Sequence, residues 1–376
     1  MTLKALCPCI VALALAACGE DAESQPVGRT AFHVTKVATF DEPWAMTFLP
    51  DGRLLVTEQR GRLKIVETHG GTAVSVAGVP EVAYGGQGGL GDVVLAPGAR
   101  GGDSVYPIYL SWAEPGPGGT RGAAVGRAML DAGTATPTLR DIKIIWRQVP
   151  KVKGTGHFGH RLAFSPDGNY LFISSGERQK FSPAQDMASS LGKTIRLRPD
   201  GSVPPDNPYA DRGGVTAQIW SLGHRNPLGM AFDADGRLWQ HEMGPRGGDE
   251  VNLIRKGHNY GWPIVSNGDH YDGRPIPGHD SRPDLEAPRL SWNPVISPAG
   301  AIIYSGDLFP QWKGSMLLGA LSGQALVRVA LAGEAAREAE RWDMDARIRE
   351  VEQGPDGAVW VLEDGSGGRL LKLTPR

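Results

Sequence analysis

"FSPDGNYLFISSGE", residues 164–177, sets a Pro-Asp-Gly turn between two runs that alternate apolar and polar residues. Asp-Gly flanked by such runs is a strong short-range hairpin signal, because the turn needs residues that tolerate positive φ. The design returns in "FLPDGRLLVTEQRGRLKIV" (48–66), "FDADGRLWQHE" (232–242) and "GPDGAVWVLEDGSGGRLLKL" (354–373). The second run usually ends in polar residues and a further glycine, and then another strand begins, as in "GRLKIV" and "GRLLKL". No 3.6-residue period is sustained through the body of the chain, so strand dominates.

The turn aspartates are Asp51, Asp167, Asp235 and Asp356, separated by 116, 68 and 121 residues. Those gaps fit two, one and two units of roughly 60 residues, a period suited to four-stranded propeller blades. "YSGDLFPQWKGSMLLGALSGQALVRVAL" (304–331) supplies another unit with a weaker turn. Dividing residues 31–376 by that period gives about six blades. The expected fold is therefore all-β, a six-bladed β-propeller of four-stranded antiparallel blades. A pair of β-sandwiches with coincidental turns is the alternative. In a propeller the functional site lies where loops entering the inner strands converge over the central channel.

Composition agrees with a soluble globular chain: of 376 residues, 40% are hydrophobic and 21% charged. A formal charge of −2 gives no footprint for nucleic acid or an acidic membrane surface. The 52 glycines are spread along the chain, as many turns require. All three cysteines fall in "MTLKALCPCIVALALAAC", residues 1–18. This reads as a secretory signal over 1–17, too short to span a membrane. Its final "LAAC" looks like a bacterial lipobox, with Cys18 lipidated as the mature N-terminus; an ordinary signal peptide is the alternative. Residues 18–30 are small and polar, a tether. The mature chain then has no disulfide and depends on its core. It is expected outside the cytoplasm, facing the periplasm, touching membrane only through the lipid anchor.

Four loops offer chemistry: "YGGQGGLGDVVLAP" (84–97), "GTGHFGHRLAF" (154–164), "SLGHRNPLGMAF" (221–232) and "HEMGPRGGDEVNLIRKGHNYGWP" (241–263). Each is rich in glycine and carries one or two polar side chains. Glycine lets backbone amides and carbonyls approach a ligand closely, which suits a flat polar cofactor or a hard metal ion. No HExxH and no cysteine pair in the mature chain supports zinc.

Together these loops resemble the soluble aldose dehydrogenases that depend on pyrroloquinoline quinone (PQQ), which include the soluble glucose dehydrogenases. The resemblance runs from about Pro43 to the C-terminus and is most specific in "GHRNP…G", "GPRGGDEVNLIRKGHNYGWP" and "GQGGL". It implies a propeller holding PQQ and calcium over the channel. The implied reaction oxidises the C1 hydroxyl of an aldose to a lactone, with hydride passing to PQQ C5 and electrons to an external acceptor. No C-x-x-C-H haem motif is present, so that acceptor is another molecule.

Carried across by position, the family's general base falls on His157, a residue type suited to taking a hydroxyl proton near neutral pH. His160 and His224 read as structural. Arg225 and Asn226 match the pair beside the cofactor, where a cation stabilises charge developing on the quinone carbonyl. Gln87 matches a glutamine that holds a substrate or cofactor oxygen. Arg347 and Arg349 in "DARIREV" match cofactor-binding arginines, and their period of two puts them on one strand face. Solvated strand arginines are the alternative. The backbone carbonyls of Gly244 and Pro245 are implied to hold the calcium that also contacts PQQ. A second calcium maps to Asp249, Glu250 and the backbone of Tyr260, although "GGDE" could be a charged turn.

The chain departs from its relatives in two places. A cofactor-contacting lysine is replaced by Ser322, with Gly323 beside it, in the strand after "GDLFPQWKGSMLL"; Lys313 is a poor substitute. Gly156 stands where glucose-specialised members place an aspartate. Short inter-blade loops fit the compact, broad-specificity aldose dehydrogenases, and a monomer is expected. Two rival functions share this fold: a calcium-dependent lactone hydrolase, which needs carboxylates converging on the channel, and a non-catalytic propeller binding glycans or protein.

Overall fold

The computed structural model describes residues 32–376. The signal segment, Cys18 and the tether lie outside the described residues. The described residues form six four-stranded antiparallel sheets and one two-stranded ribbon. Their inner strands, blades 1 to 6 in order, are Pro43–Phe48, Leu90–Leu95, Gly159–Phe164, Pro227–Phe232, Pro298–Ile303 and Ile348–Gln353. Each touches the next and the last touches the first, which closes a six-bladed propeller.

The four Asp-Gly turns join the first and second strands of blades 1, 3, 4 and 6, as their spacing requires. Blades 2 and 5 lack that turn. Residues 96–104 make the connection in blade 2, and in blade 5 a longer loop does so through the 3-10 turn Pro310–Trp312. Middle strands such as Leu54–Glu58 and Val359–Glu363 are buried along their whole length, because both faces of a blade pack on neighbours. Leu63, Ile65, Leu110 and Trp112 fill the seam between blades 1 and 2. Phe32, Trp312, Trp342 and Val351 fill that between blades 5 and 6.

The strand Phe32–Asp41 does not belong to the blade it precedes. It pairs with Ser366–Pro375 as the outer strand of blade 6. The first described strand and the last therefore hold each other, and the ring cannot open without breaking that ladder.

Arg161, on the inner strand of blade 3, donates from Nη1 to Glu350 of blade 6 (2.6 Å) and to Asp92 of blade 2 (3.3 Å). Its Nε donates to the Leu228 carbonyl of blade 4 (3.0 Å), and its guanidinium lies 4.6 Å from the Trp44 ring of blade 1. Five blades thus meet on one buried cation. It separates a cavity of about 410 Å³ at the mouth, where loops enter the inner strands, from another of about 410 Å³ at the opposite end.

Candidate active site

The predicted site residues on loops lie where the chain enters an inner strand or turns between a second and third strand, except Tyr260, which lies on the long loop between the third and fourth strands of blade 4. Both places are on one face of the ring, because antiparallel strands return there. His157 precedes the inner strand of blade 3 and Glu177 follows the second strand of the same blade. Gly159 pairs with Ser175, so two residues further out His157 meets Glu177. His157 Nδ1 is 2.6 Å from Glu177 Oε1. The His157 backbone N–H donates to Gln87 Oε1 (2.7 Å). Gly176 is glycine for a steric reason: a Cβ there would fall 2.2 Å from the His157 carbonyl oxygen.

Burial pushes the His157 imidazole below its ordinary value of 6.5; the Glu177 hydrogen bond opposes this, and the Arg225 charge adds to it. Burial works to raise the Glu177 carboxyl, but its bond to His157 and its partner at the Phe181 N–H hold it below 4.5. The pair is therefore a neutral imidazole donating Nδ1–H to a carboxylate, which leaves Nε2 as a proton acceptor. This tautomer follows from the acceptor-only partner. Glu177 closes the opening hairpin, and residue type alone gives it no role. The hairpin register, with a bulge between Gly159 and Leu162, is the signal that pairs it with His157.

Arg225 and Asn226 enter blade 4 alongside. Arg225 donates to the Met243 carbonyl (2.9 Å) and the Tyr271 hydroxyl (3.0 Å), and its Nε is buried without a partner. Asn226 Oδ1 is likewise buried and unpartnered, while Asn226 Nδ2 reaches Gln87 at 3.4 Å. Such orphaned atoms cost free energy unless a ligand satisfies them. His157, Glu177 and Arg225 border a second cavity of about 370 Å³, with Phe181, Pro245, Trp262 and Tyr271 among its walls.

Arg347 and Arg349 converge on one carboxylate. Their Nε atoms each lie 2.8 Å from an Asp364 oxygen, and all three residues line the mouth cavity with Gln87 and His160. Asp364, at the turn of blade 6, carried no sequence signal. His160 and His224 are both buried, but of the two only His224 is hydrogen-bonded; neither His160 ring nitrogen has a partner, and His160 lines the mouth cavity. His160 stacks on Phe158, and burial pushes it down to about 3. His224 sits between Ser221 (2.8 Å) and Glu242 (2.9 Å).

Gly244 and Pro245 form a turn held from behind, since Asp249 Oδ1 accepts the Gly244 N–H (2.8 Å). Asp249 Oδ2 accepts the N–H groups of Ile296 and Ser297, both at 2.7 Å. Asp249 therefore shapes this turn rather than presenting oxygens to the small cavity beside it. Glu250 and Tyr260 border that cavity together with Glu242, Gly244 and Pro245. Ser322 lies in the four-residue turn after Met316–Ala320, not in a strand, and its hydroxyl meets Ser297 at 2.8 Å. Lys313 pairs with Asp307 on the surface and takes no part in the site.

A sequence model described as glucose/sorbosone dehydrogenase matches residues 40–372. The chain belongs to that family. Aldose sugar dehydrogenase YliI of Escherichia coli K12 is 41% identical over 344 residues, which cover 89% of this chain and 91% of the relative. The crystal structure of soluble aldose sugar dehydrogenase from Escherichia coli, in its apo form, superposes with a TM-score of 0.84 at 39% identity. That match covers 92% of this chain and 100% of the other. The PQQ-bound aldose sugar dehydrogenase of Streptomyces coelicolor superposes at 0.75 with 27% identity, covering 94% and 100%. Residue by residue, this glucose/sorbosone dehydrogenase family member has a site fit for a quinone polyacid. It offers a buried arginine with a free Nε and a pair of arginines on the cavity wall.

Proposed function

We propose that this chain is a PQQ- and calcium-dependent oxidoreductase that converts the C1 hydroxyl of aldoses to lactones. The observation that carries the reading is the neutral His157, oriented by buried Glu177 and set beside Arg225 on a cavity wall. When bound, PQQ supplies the two-electron acceptor for the hydride leaving C1. The chain's own residues do the rest. His157 Nε2 takes the hydroxyl proton, and Glu177 stabilises the imidazolium that forms. Arg225 places a fixed cation where negative charge develops, in a site that needs no reorganisation. Gln87 holds the His157 backbone and Asn226 in register. Arg347 and Arg349 bind cofactor carboxylates.

The carbonyls of Gly244 and Pro245, hard oxygen donors on a turn held by Asp249, would hold the calcium, which would supply Lewis acidity toward the cofactor. A second ion is assigned to Glu250 and the Tyr260 backbone. Electrons leave to an external acceptor, and the protein works as a monomer outside the cytoplasm, tethered through Cys18. The lactone-hydrolase reading is disfavoured by the mouth residues, where His, Arg, Gln and Asn converge and Asp364 is held by two arginines. The test is reconstitution of the purified mature chain with PQQ and Ca²⁺, followed by dye-linked oxidation of an aldose panel. Turnover that requires both additions supports the proposal; absence of PQQ binding by calorimetry overturns it.

A further inference from the structure

The loop after Glu177 is strained and aimed. Arg178, Gln179 and Phe181 all have positive φ (61°, 59° and 62°), a conformation that side chains with a Cβ rarely adopt. Three such residues within four positions persist only where the surroundings over-determine them. Here two anchors do so. The wholly buried Arg178 side chain donates to the carbonyls of Gly156, Arg121 and Gly154 (2.9, 2.6 and 2.6 Å), with its guanidinium 3.6 Å from the Phe158 ring. Glu177 Oε2 accepts the N–H groups of Lys180 (2.5 Å) and Phe181 (2.6 Å). The carboxylate that orients His157 therefore also fixes this loop.

The strain presents two side chains to the 370 Å³ cavity that His157 borders. Phe181 is 46% exposed, although burial is the ordinary fate of a phenylalanine. Trp262 backs its ring at 5.6 Å with the planes 28° apart, and Arg225 in turn holds Trp262 and Tyr271. Gln179 lines the same cavity and is exposed. Its amide occupies the space that a side chain at 156 would need, since a Cβ on Gly156 would fall 2.6 Å from Gln179 Cδ. The aspartate expected there in glucose-specialised relatives is thus replaced by an amide delivered from another loop.

We infer that Phe181, backed by Trp262, is the substrate-positioning platform of this enzyme, and that Gln179 is its specificity partner. The platform stacks the apolar C–H face of an aldopyranose while Gln179 hydrogen-bonds a ring hydroxyl. A sugar ring has one such face and a girdle of hydroxyls, and an exposed aromatic beside a lone amide matches both. The inference rests on the aldose-dehydrogenase reading and goes further by assigning the residues that choose the sugar.

The experiment compares the reconstituted protein with Phe181→Ala, Phe181→Tyr and Gln179→Ala. It measures steady-state kinetics with glucose and calorimetric binding of 1,5-anhydroglucitol, a ring without the reacting hydroxyl. Phe181→Ala is expected to raise KM and weaken analogue binding roughly tenfold, with kcat within about twofold, because stacking is lost equally in ground and transition states. Phe181→Tyr restores both values. Gln179→Ala changes the ratio of kcat/KM between C2 or C4 epimers. Unchanged KM and unchanged analogue binding in Phe181→Ala, in a protein that still turns over, overturns the inference and leaves the activity standing. Failure of the unaltered protein to bind PQQ overturns the activity itself. Thermal melting of each variant identifies loss of fold, and the tyrosine variant then decides.

Discussion

His157 Nδ1 and Glu177 Oε1 stand 2.6 Å apart across the open end of one hairpin, both buried. The pairing makes a base of His157 and predicts the cost of breaking it. Glu177→Gln keeps the shape but leaves one acceptor oxygen for two sites; with that oxygen on the Lys180 and Phe181 N–H groups, its NH2 faces His157 Nδ1 and imposes the wrong tautomer. Its kcat is expected to fall by roughly 10²-fold or more, and that of His157→Ala by about 10²–10⁴-fold. PQQ binding measured by calorimetry should change little in either.

The same pair sets the pH dependence. Burial lowers the His157 pKa below 6.5, so the base is already neutral at pH 6.5 and is lost only on further acidification. The acidic limb of kcat/KM is expected below pH 6.5, with a plateau through neutrality. A pH–rate profile whose limb lies above 6.5 contradicts this assignment.

Asp364 holds Arg347 and Arg349 on one side of the mouth cavity. Removing Arg349, the more buried of the two, leaves a carboxylate where an anionic cofactor must dock. Arg349→Ala is expected to weaken PQQ binding by roughly 10–100-fold, the loss of one charge-assisted pair. Calorimetry reads the loss directly, and kcat at saturating PQQ should be nearly retained.

Arg161 has a different task. It faces both Asp92 and Glu350 at the centre of the ring, and Arg161→Leu leaves these two buried carboxyl groups without their cation. Breaking a buried ion pair from one side costs about 3–5 kcal/mol. Urea unfolding is expected to show that loss, and adding Glu350→Gln to Arg161→Leu should recover part of it.

Two buried histidines predict acid sensitivity of the fold. His160 and His241 are held neutral by burial, each pushed down from 6.5 to about 3. The unfolded chain binds protons at these sites between pH 6.5 and 3 while the folded chain does not. Stability is thus intact above pH 6.5 and falls as pH drops through that window. The melting temperature of His160→Leu should fall less steeply with acid than that of the unaltered protein.

Much of the architecture was legible because it is written locally. An Asp-Gly turn between alternating runs needs only neighbouring residues to specify it, and the spacing of Asp51, Asp167, Asp235 and Asp356 gave the blade count. Blades 2 and 5 were harder to see, because their first connections use longer loops with no Asp-Gly. The outer strand Phe32–Asp41 was invisible as part of blade 6, since its partner lies at the far end of the chain. His157, Arg225, Asn226, Gln87, Arg347 and Arg349 follow from the resemblance; the fold sets five of them on cavity walls at one mouth, with Asn226 fully buried and bonded to Gln87.

By itself, then, the sequence determined the strand content, the repeat and which loops are bare enough for a ligand, since these depend on residue type and short-range spacing. Only the tertiary structure decided which polar groups face one another. Glu177 reaches His157 through a bulge that shifts register by one residue. Asp364 gathers two arginines across a turn, and Asp249 spends its oxygens on three backbone amides and not on the small cavity. Arg161 draws five blades onto one charge. Each of these contacts is set by ring closure, which fixes distances between residues that no local pattern connects.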